Sequence, residues 1–529
     1  MKGQWTVALA LLLYLSLSLY QIQLPGLYYD EAADAVPTMQ LLQGQPVELL
    51  NGAGIWLGGR ALPIMVWDYV GAVNTYALLP FFALLGVNVF SLRLMTVAGG
   101  VLTLLLTYQL ARELFPRGVA AVSIFLLAVH PSFVFWNRQG IHVTSLMTVM
   151  ALGASLCLLR WRREGGWGYL MGGAFLLGLG LSAKLLFLWF VVAVIVAFLI
   201  KEKSTYEAPG GGGPIKGWHL GPALVAFLAG TGMLLLYNLE TGGTLNVLGK
   251  NLMVSQYGVS NLAYLTNLRA RLDNLGSLLD GGHLWYLGGI FQHGSYPILG
   301  VVAAGVTVAG ASRLQGRTYA AGVTFLLVVL ALYLLQSAFT ISGLWPTHLF
   351  LILPLLMVMT AVALYFVQQW APYGLVVSSG VLLLLVSQSM YVNLRYHQVL
   401  GETGGRRHHS DAIYRLADYL VEANSHGAGQ PMAMDWGIKA NIQILTQGKV
   451  NPQEIFQYTP QANDAFRDWL YGALHNPDNL YLFHTPEATV YPRFEAFRDL
   501  AVKLGNQVHL EATVRERDGT PLYLVYSAR

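Results

Sequence analysis

Charge is what this sequence has least of. Only 11% of its 529 residues are Asp, Glu, Lys or Arg, while 55% are hydrophobic. A soluble domain carries about 25% charged residues. That shortage excludes an ordinary soluble enzyme, and it equally excludes a disordered chain. Cysteine is almost absent too. The single Cys157 rules out an intrachain disulfide, so any part exported from the cytoplasm folds without one. The net charge of +4 is too small to point to nucleic acid.

The few charges are unevenly spread. Residues 1–395 hold 19 basic and 12 acidic side chains, and residues 396–529 hold 12 and 15. The second segment therefore has close to the usual soluble density and the first has far less. This predicts an α-helical polytopic membrane domain over 1–395, followed by a soluble α/β domain over 396–529.

Apolar runs at 5–24, 91–110, 118–135, 143–159, 168–181, 185–200, 220–237, 296–311, 319–336, 348–366 and 373–391 approach the ~20 residues that a spanning helix needs. They predict about eleven transmembrane helices. The first reads as an uncleaved span, because no small-x-small cleavage site follows it. Basic residues set the orientation. Arg112 and Arg117, then Arg160, Arg162 and Arg163, then Lys201, Lys203 and Lys216, then Arg313 and Arg317 all follow even-numbered spans. Together with Lys2, they mark the cytoplasmic side. An odd number of spans then places 396–529 outside the cytoplasm, which predicts a multi-pass plasma-membrane protein. Two long outer loops, 25–90 and 239–295, are rich in Tyr, Trp, Gly and Asn. Residues 78–86 are apolar but too short to span and suit an interfacial helix. Long loops on one face of a scaffold are where function concentrates.

The tail alternates helical and strand-like patterns. Helices are expected at 411–423 (Ile413, Leu416, Ala417 and Leu420 on one face, Ser410 as N-cap), 438–445, 464–474 and 493–504. Strands are expected at 431–435 and 480–483, and a closing hairpin joins 508–515 to 522–526 around Asp518-Gly519. The tail has no phosphate loop, no G-x-G-x-x-G stretch and no metal-ligand spacing. His408-His409 reads as an exposed linker feature, and Met434-Asp435-Trp436-Gly437 as the structural end of a strand.

Chemistry is sought among ionisable groups at the outer ends of the spans. Asp30, Glu31 and Asp34 follow the first span, Arg138 the third, Lys184 lies between the fifth and sixth, and His348 opens the tenth. Taken singly, each has an ordinary reading: a loop acid, a snorkelling cation or an interfacial cap. Taken together they carry more weight, because Arg138 and Lys184 break the positive-inside bias in short loops. Carboxylates facing several cations at a membrane surface suit transfer of a group from a lipid-linked phosphate. The cations bind the leaving phosphate and a carboxylate takes the proton of the attacking hydroxyl. Asp30 and Asp34 share a helical face, so either fits as the base. No cofactor is read from the sequence. Two carboxylates without a third ligand leave a divalent metal open.

Asp30-Glu31-Ala32 resembles the aspartate–glutamate motif of the GT-C superfamily. Within it the likeness is to protein O-mannosyltransferases and the lipid A aminoarabinose transferases. It continues through Asp68-Tyr69-Val70-Gly71-Ala72-Val73-Asn74-Thr75-Tyr76, Pro80, Gly86, Arg93-Leu94, the Tyr108–Arg112 stretch, Pro131 to Arg138, and His348 to Pro354. The resemblance implies an inverting membrane glycosyltransferase using a polyprenyl-phosphate sugar and a lipid, glycan or protein acceptor. Asp30 carries over as general base with Glu31 beside it, and Arg138, Lys184 and His348 as donor-phosphate ligands. Arg60, Asp68, Tyr69 and Asp34 carry over as acceptor or sugar contacts. The chain departs from similar proteins at Ser182-Ala183 and at His142, where an acid is expected. Three alternatives remain. A secondary transporter would show internal repeats, and none is found. A lipid-linked polysaccharide ligase would need no acid so close to the first span. A scaffold displaying the tail would leave Asp30 dispensable.

Overall fold

The computed structural model describes residues 2–139, 143–202, 217–313 and 317–529. His142, Lys203 and Lys216 lie outside the described residues. The chain starts with α1 (Lys2–Leu19) and then, at one end of the bundle, α2 (Tyr29–Gln43). A small hairpin follows, β1 (Gly54–Leu57) with β2 (Arg60–Pro63), and a shorter one, β3 (Met65–Trp67) with β4 (Val70–Gly71). Next comes α3 (Val73–Leu85), the expected short apolar helix, whose Leu84 is largely exposed.

The bundle continues through α4 (Val89–Leu114), α5 (Arg117–Ala128), α6 (Pro131–Gln139), α7 (Thr144–Glu164), α8 (Trp167–Ala183) and α9 (Leu188–Glu202). It resumes with α10 (Gly217–Gly230), α11 (Gly232–Thr241), α12 (Gly243–Asn251), α13 (Tyr264–Asp280), α14 (Ser295–Arg313), α15 (Arg317–Ser337), α16 (Leu353–Trp370) and α17 (Gly374–Thr403).

Each expected run falls on a helix or a bent pair. Among the described residues, five helices are long and apolar enough to cross a membrane: Val89–Leu114, Thr144–Glu164, Tyr319–Ser337, Pro346–Trp370 and Gly374–Thr403. The pairs α5–α6 and α10–α11, bent by 61° and 66°, bring the number to seven if each is one span. The first bend sits at Pro131, whose ring and missing N–H break the helical ladder. The second sits at Gly230-Thr231-Gly232. The remaining four runs lie on shorter apolar helices. The protein is a multi-pass membrane protein. Arg160, at 3.1 Å, and Arg163 both pair with Glu113, which joins the ends of α4 and α7.

Helix α8 crosses α10 at glycine. A Cβ on Gly178 would stand 2.1 Å from the Phe227 carbonyl oxygen, and one on Gly230 would stand 2.3 Å from that of Phe175. Small residues let helix backbones approach in this way. Gly230→Ala is therefore expected to destabilise the bundle by about 1–3 kcal/mol, the usual cost of overpacking. Thermal unfolding in detergent checks it, and an unchanged midpoint would show that the crossing has slack.

The tail begins after α17, which runs through position 395 to Thr403. It comprises α18 (Ala412–Ser425), β5 (Pro431–Ala433), α19 (Lys439–Leu445), β6 (Gln453–Glu454), α20 (Asp464–Ala473), β7 (Leu480–His484), α21 (Phe494–Lys503), β8 (Val508–Arg515) and β9 (Pro521–Ala528). The strands form one sheet in the order β6-β5-β7-β9-β8, with β5 parallel to both its neighbours and the rest antiparallel. The expected hairpin is β8–β9. Strand β6 was not expected, because it is two residues long. Ser410 lies one position ahead of the helix cap and accepts the Ala412 N–H at 3.3 Å.

The tail shares a hydrophobic core with α2. Leu27, Ala32, Ala35 and Met39 pack with Ile413, Leu416, Ile442 and Val525. The Asn441 amide donates to the Leu27 carbonyl at 2.8 Å and the Tyr414 hydroxyl to that of Gln23 at 2.6 Å. The tail and the 25–90 segment therefore hold each other in place.

Candidate active site

Asp30 occupies the first turn of α2, where a helix N-terminus favours negative charge. Its neighbour Glu31 emerges on another face and is fully buried. Arg93 of α4 grips it at both oxygens, 2.6 and 3.1 Å. The same guanidinium donates to the carbonyls of Ile22 (2.8 Å), Pro25 (2.9 Å) and Gly26 (3.2 Å). Glu31 also accepts the Tyr28 N–H at 2.8 Å. The sequence placed Glu31 beside Asp30 as a catalytic partner. The structure instead spends both its oxygens on fixing the start of α2 against α4.

Lys184 reaches the same place from the corner between α8 and α9. It is 7% exposed, and Asp30 and Asp34 are the carboxylates whose charge acts on it. The corner is set by main-chain pairing. Val70 and Lys184 form an antiparallel bridge, and the Leu185 N–H donates to the Tyr69 carbonyl at 3.0 Å. Only glycine suits the next position, since a Cβ on Gly71 would stand 2.2 Å from the Ser182 carbonyl oxygen. Tyr69 thereby faces Asp30 and Tyr257, and burial first, then these two neighbours, raises its phenol above the usual range. Asp34 is buried and accepts the Asn74 amide at 2.8 Å. Asp30, Asp34, Tyr69 and Lys184, separated in sequence, thus meet at one corner.

The other candidates are placed differently. Arg138 is fully buried in α6. Its guanidinium donates to the carbonyls of Gln21 and Leu24 (3.0 Å), lies 3.5 Å from His397 and stacks on Phe135, so it closes the end of α1. Asp68 accepts the Asn51 amide (3.3 Å) of its own loop and the Tyr237 hydroxyl of α11, and its carbonyl accepts the Thr244 hydroxyl of the second loop. Arg60 stands exposed at the tip of the β1–β2 hairpin. His348 lies in a short helical turn before α16. Its carbonyl accepts the Tyr333 hydroxyl at 2.7 Å, and its ring is 6.4 Å from Trp189, in the first turn of α9.

Trp189 also meets a residue that the sequence did not single out. Arg271 of α13 is fully buried, lies over the Trp189 ring at 5.6 Å, and donates to the carbonyls of Ser337 (2.8 Å) and Trp345 (3.2 Å). Its Nη2 has no protein partner. The start of α9 therefore gathers Lys184 and, through Trp189, both Arg271 and His348. The pair His408-His409 departs from its reading as an exposed linker. Both are half-buried, and His409 is sandwiched between Tyr28 (4.0 Å) and Tyr286 (4.1 Å). Asp435 fits its structural reading: at 1% exposure it accepts from His484 (3.0 Å), Thr489 (2.8 Å) and the Tyr491 N–H (2.8 Å).

Among the described residues, no three His, Cys, Asp or Glu side chains converge as a metal cage. A cavity of about 930 Å³ opens between Trp285, Arg406, Arg407 and the tail residues Thr485, Glu516 and Leu522, and none of the residues predicted for the site lines it. The groups that the sequence singled out and the structure brings together are those of the Asp30–Lys184 corner. This corner pairs a carboxylate with a buried ammonium where the 25–90 segment meets the turn between α8 and α9.

A family model described as dolichyl-phosphate-mannose-protein mannosyltransferase matches residues 72–209, which include Arg93, Arg138 and Lys184. No curated protein matches the chain in sequence. Among solved structures, the chain is similar to ArnT from Cupriavidus metallidurans bound to undecaprenyl phosphate, with 13% identity, a TM-score of 0.61, and 98% of this chain and 97% of that one covered. It is also similar to the archaeal oligosaccharyltransferase AglB from Archaeoglobus fulgidus, in complex with an inhibitory peptide and a dolichol-phosphate. There the identity is 13%, the TM-score 0.53, and the coverage 95% of this chain and 71% of that one. These are GT-C superfamily glycosyltransferases. At such identity the likeness establishes the fold, and the resemblance seen in the sequence stands at that level.

Proposed function

We propose that the chain is an inverting glycosyltransferase. It takes a sugar from a polyprenyl-phosphate donor and passes it to an acceptor at the extracytoplasmic face of the plasma membrane. The observation that carries this reading is Lys184, buried and facing Asp30 and Asp34 at the corner where Tyr69 is held. The polyprenyl phosphates bound by ArnT and AglB support the donor class.

In this reading the acceptor hydroxyl attacks the anomeric carbon while the bond from that carbon to the phosphate oxygen breaks. The electron pair leaves with the phosphate, and the proton passes to Asp30. Lys184 meets the charge that grows on the leaving phosphate, with the open Nη2 of Arg271 and the ring of His348 nearby. Glu31 and Arg138 act on the frame, by fixing the start of α2 and the end of α1. Tyr69 and Asp34 face the sugar, while Asp68 and Arg60 shape the outer loop. Eleven spans, with a cytoplasmic N-terminus and residues 396–529 outside, put every one of these groups at one face.

The test is purified protein supplied with a panel of polyprenyl-phosphate sugars. Lys184→Met is expected to weaken donor binding at least tenfold, about the worth of one charge-assisted phosphate contact. If wild type binds no lipid-linked sugar, or Lys184→Met binds it as well as wild type, the assignment fails.

A further inference from the structure

Against the two residues that precede Asp30, the tail packs aromatic rings and one acid that no step so far uses. Glu454, on the edge strand β6, accepts the Tyr29 hydroxyl at 2.6 Å and the Tyr458 hydroxyl at 3.3 Å. Tyr29 is the residue immediately before Asp30. Trp436 lies 4.9 Å from the Tyr29 ring and 5.6 Å from that of Tyr28. The Tyr458 ring is tilted against Phe456 at 4.6 Å and edge-on to Tyr491 at 5.8 Å. Tyr257, half exposed on the second outer loop, faces Tyr491 on the tail as well as Tyr69 and Tyr28 at the corner.

The segment carrying these groups is held against its own preference. Gln457 and Tyr458, adjacent and neither a glycine, both have left-handed backbones, φ 65° and 39°. A bulky residue there costs about 1–3 kcal/mol and persists only where its surroundings over-determine it. Here the buried Arg493 does so. It donates to the carbonyls of Phe456 (2.8 and 3.0 Å), Thr459 and Pro460 (3.4 Å), and lies under the Tyr491 ring at 5.7 Å. Such strain clusters at ligand clamps.

We propose that Trp436, Tyr458, Tyr491 and Glu454 form the acceptor subsite of the Asp30 corner, and that its occupant is a neutral saccharide. This rests on the transfer reaction proposed above. Aromatic faces pack on the C–H faces of sugar rings, and a carboxylate accepts sugar hydroxyls. An acyl chain would need a continuous aliphatic wall, and an anionic headgroup would need free cations. Of the tail cations beside these rings, Lys439 is paired with Glu48 at 2.9 Å, and Arg493 is buried with its donors on the carbonyls of Phe456, Thr459 and Pro460.

The experiment uses full-length protein in nanodiscs and saturation-transfer NMR with chitotriose, mannotriose, dihexanoyl phosphatidylglycerol and a neutral decapeptide. Donor binding by wild type is titrated in the same preparation. Saturation transfer to a trisaccharide is expected in wild type. Affinity should fall at least tenfold in Glu454→Gln and Tyr458→Ala and about threefold in the conservative Tyr458→Phe, while Tyr471→Ala, on the exposed face of α20, keeps the wild-type signal. Tyr458→Phe and Glu454→Gln retain size and guard against misfolding, which thermal midpoints monitor. No saccharide signal in donor-binding wild type overturns the subsite. So do signals that survive both Tyr458 variants and Glu454→Gln, and so does a response confined to the lipid or the peptide. Failure of wild type to bind any donor would instead overturn the transfer reaction itself.

Discussion

Asp30→Asn is expected to lower glycosyl transfer by about 10²- to 10⁴-fold, the range lost when a general base is removed. The change keeps the shape of the side chain and its place in the first turn of α2, while Glu31 and Arg93 go on holding that turn. Donor affinity should therefore stay within about threefold of wild type, since the groups proposed to hold the phosphate are Lys184, Arg271 and His348. Transfer of a labelled sugar at saturating donor reads the first quantity, and equilibrium titration of the donor reads the second. A variant that transfers at the wild-type rate would remove Asp30 from the reaction. A variant that loses rate and donor binding together would make Asp30 a donor contact instead.

Arg93→Ala is expected to cost about 3–5 kcal/mol, the usual loss when one partner of a buried ion pair is deleted. The reason is local. Glu31 would be left as a buried carboxylate, and the carbonyls of Ile22, Pro25 and Gly26 would lose their donor at the same time. Glu31→Gln should cost less, because the amide oxygen still accepts from Arg93. Unfolding in mixed detergent, followed by tryptophan fluorescence, measures both. Near-equal stabilities of wild type and Arg93→Ala would show that water enters the site and that the pair does not hold α2.

Much of this architecture is legible in the residues themselves. Periodic apolar runs need lipid, so all eleven expected runs fall on helices or bent pairs. The four that make short helices show why a span count from hydropathy is loose: an apolar run continues past the point where the backbone stops being helical. The tail elements are legible for the same reason, through amphipathic periods and an Asp-Gly turn, except for the two-residue β6. Asp30 and Lys184 are legible because membrane topology alone gives no reason for them.

The role of Glu31 is not legible, because adjacency in sequence says nothing about face, and one step along a helix turns a side chain from the cleft into the bundle. Arg138 breaks the inside bias as strongly as Lys184, yet its Nη2 goes to carbonyls freed where α1 ends. Arg271 lies in the long 239–295 stretch between apolar runs, where a charge looks ordinary, so only packing against Trp189 distinguishes it. Glu454 and Tyr458 sit in a segment of ordinary composition, and a left-handed turn built without glycine leaves no signal.

By itself the sequence determined the solvent of each segment, the helical nature of the bundle and the ionisable groups that topology does not explain. These follow from composition and period, which are local. Which of those groups meet, which are spent on holding the frame, and which tail residues pack against Tyr28 and Tyr29 were decided by the tertiary structure alone. Such contacts join positions hundreds of residues apart, and burial and hydrogen-bond geometry, rather than spacing along the chain, select them.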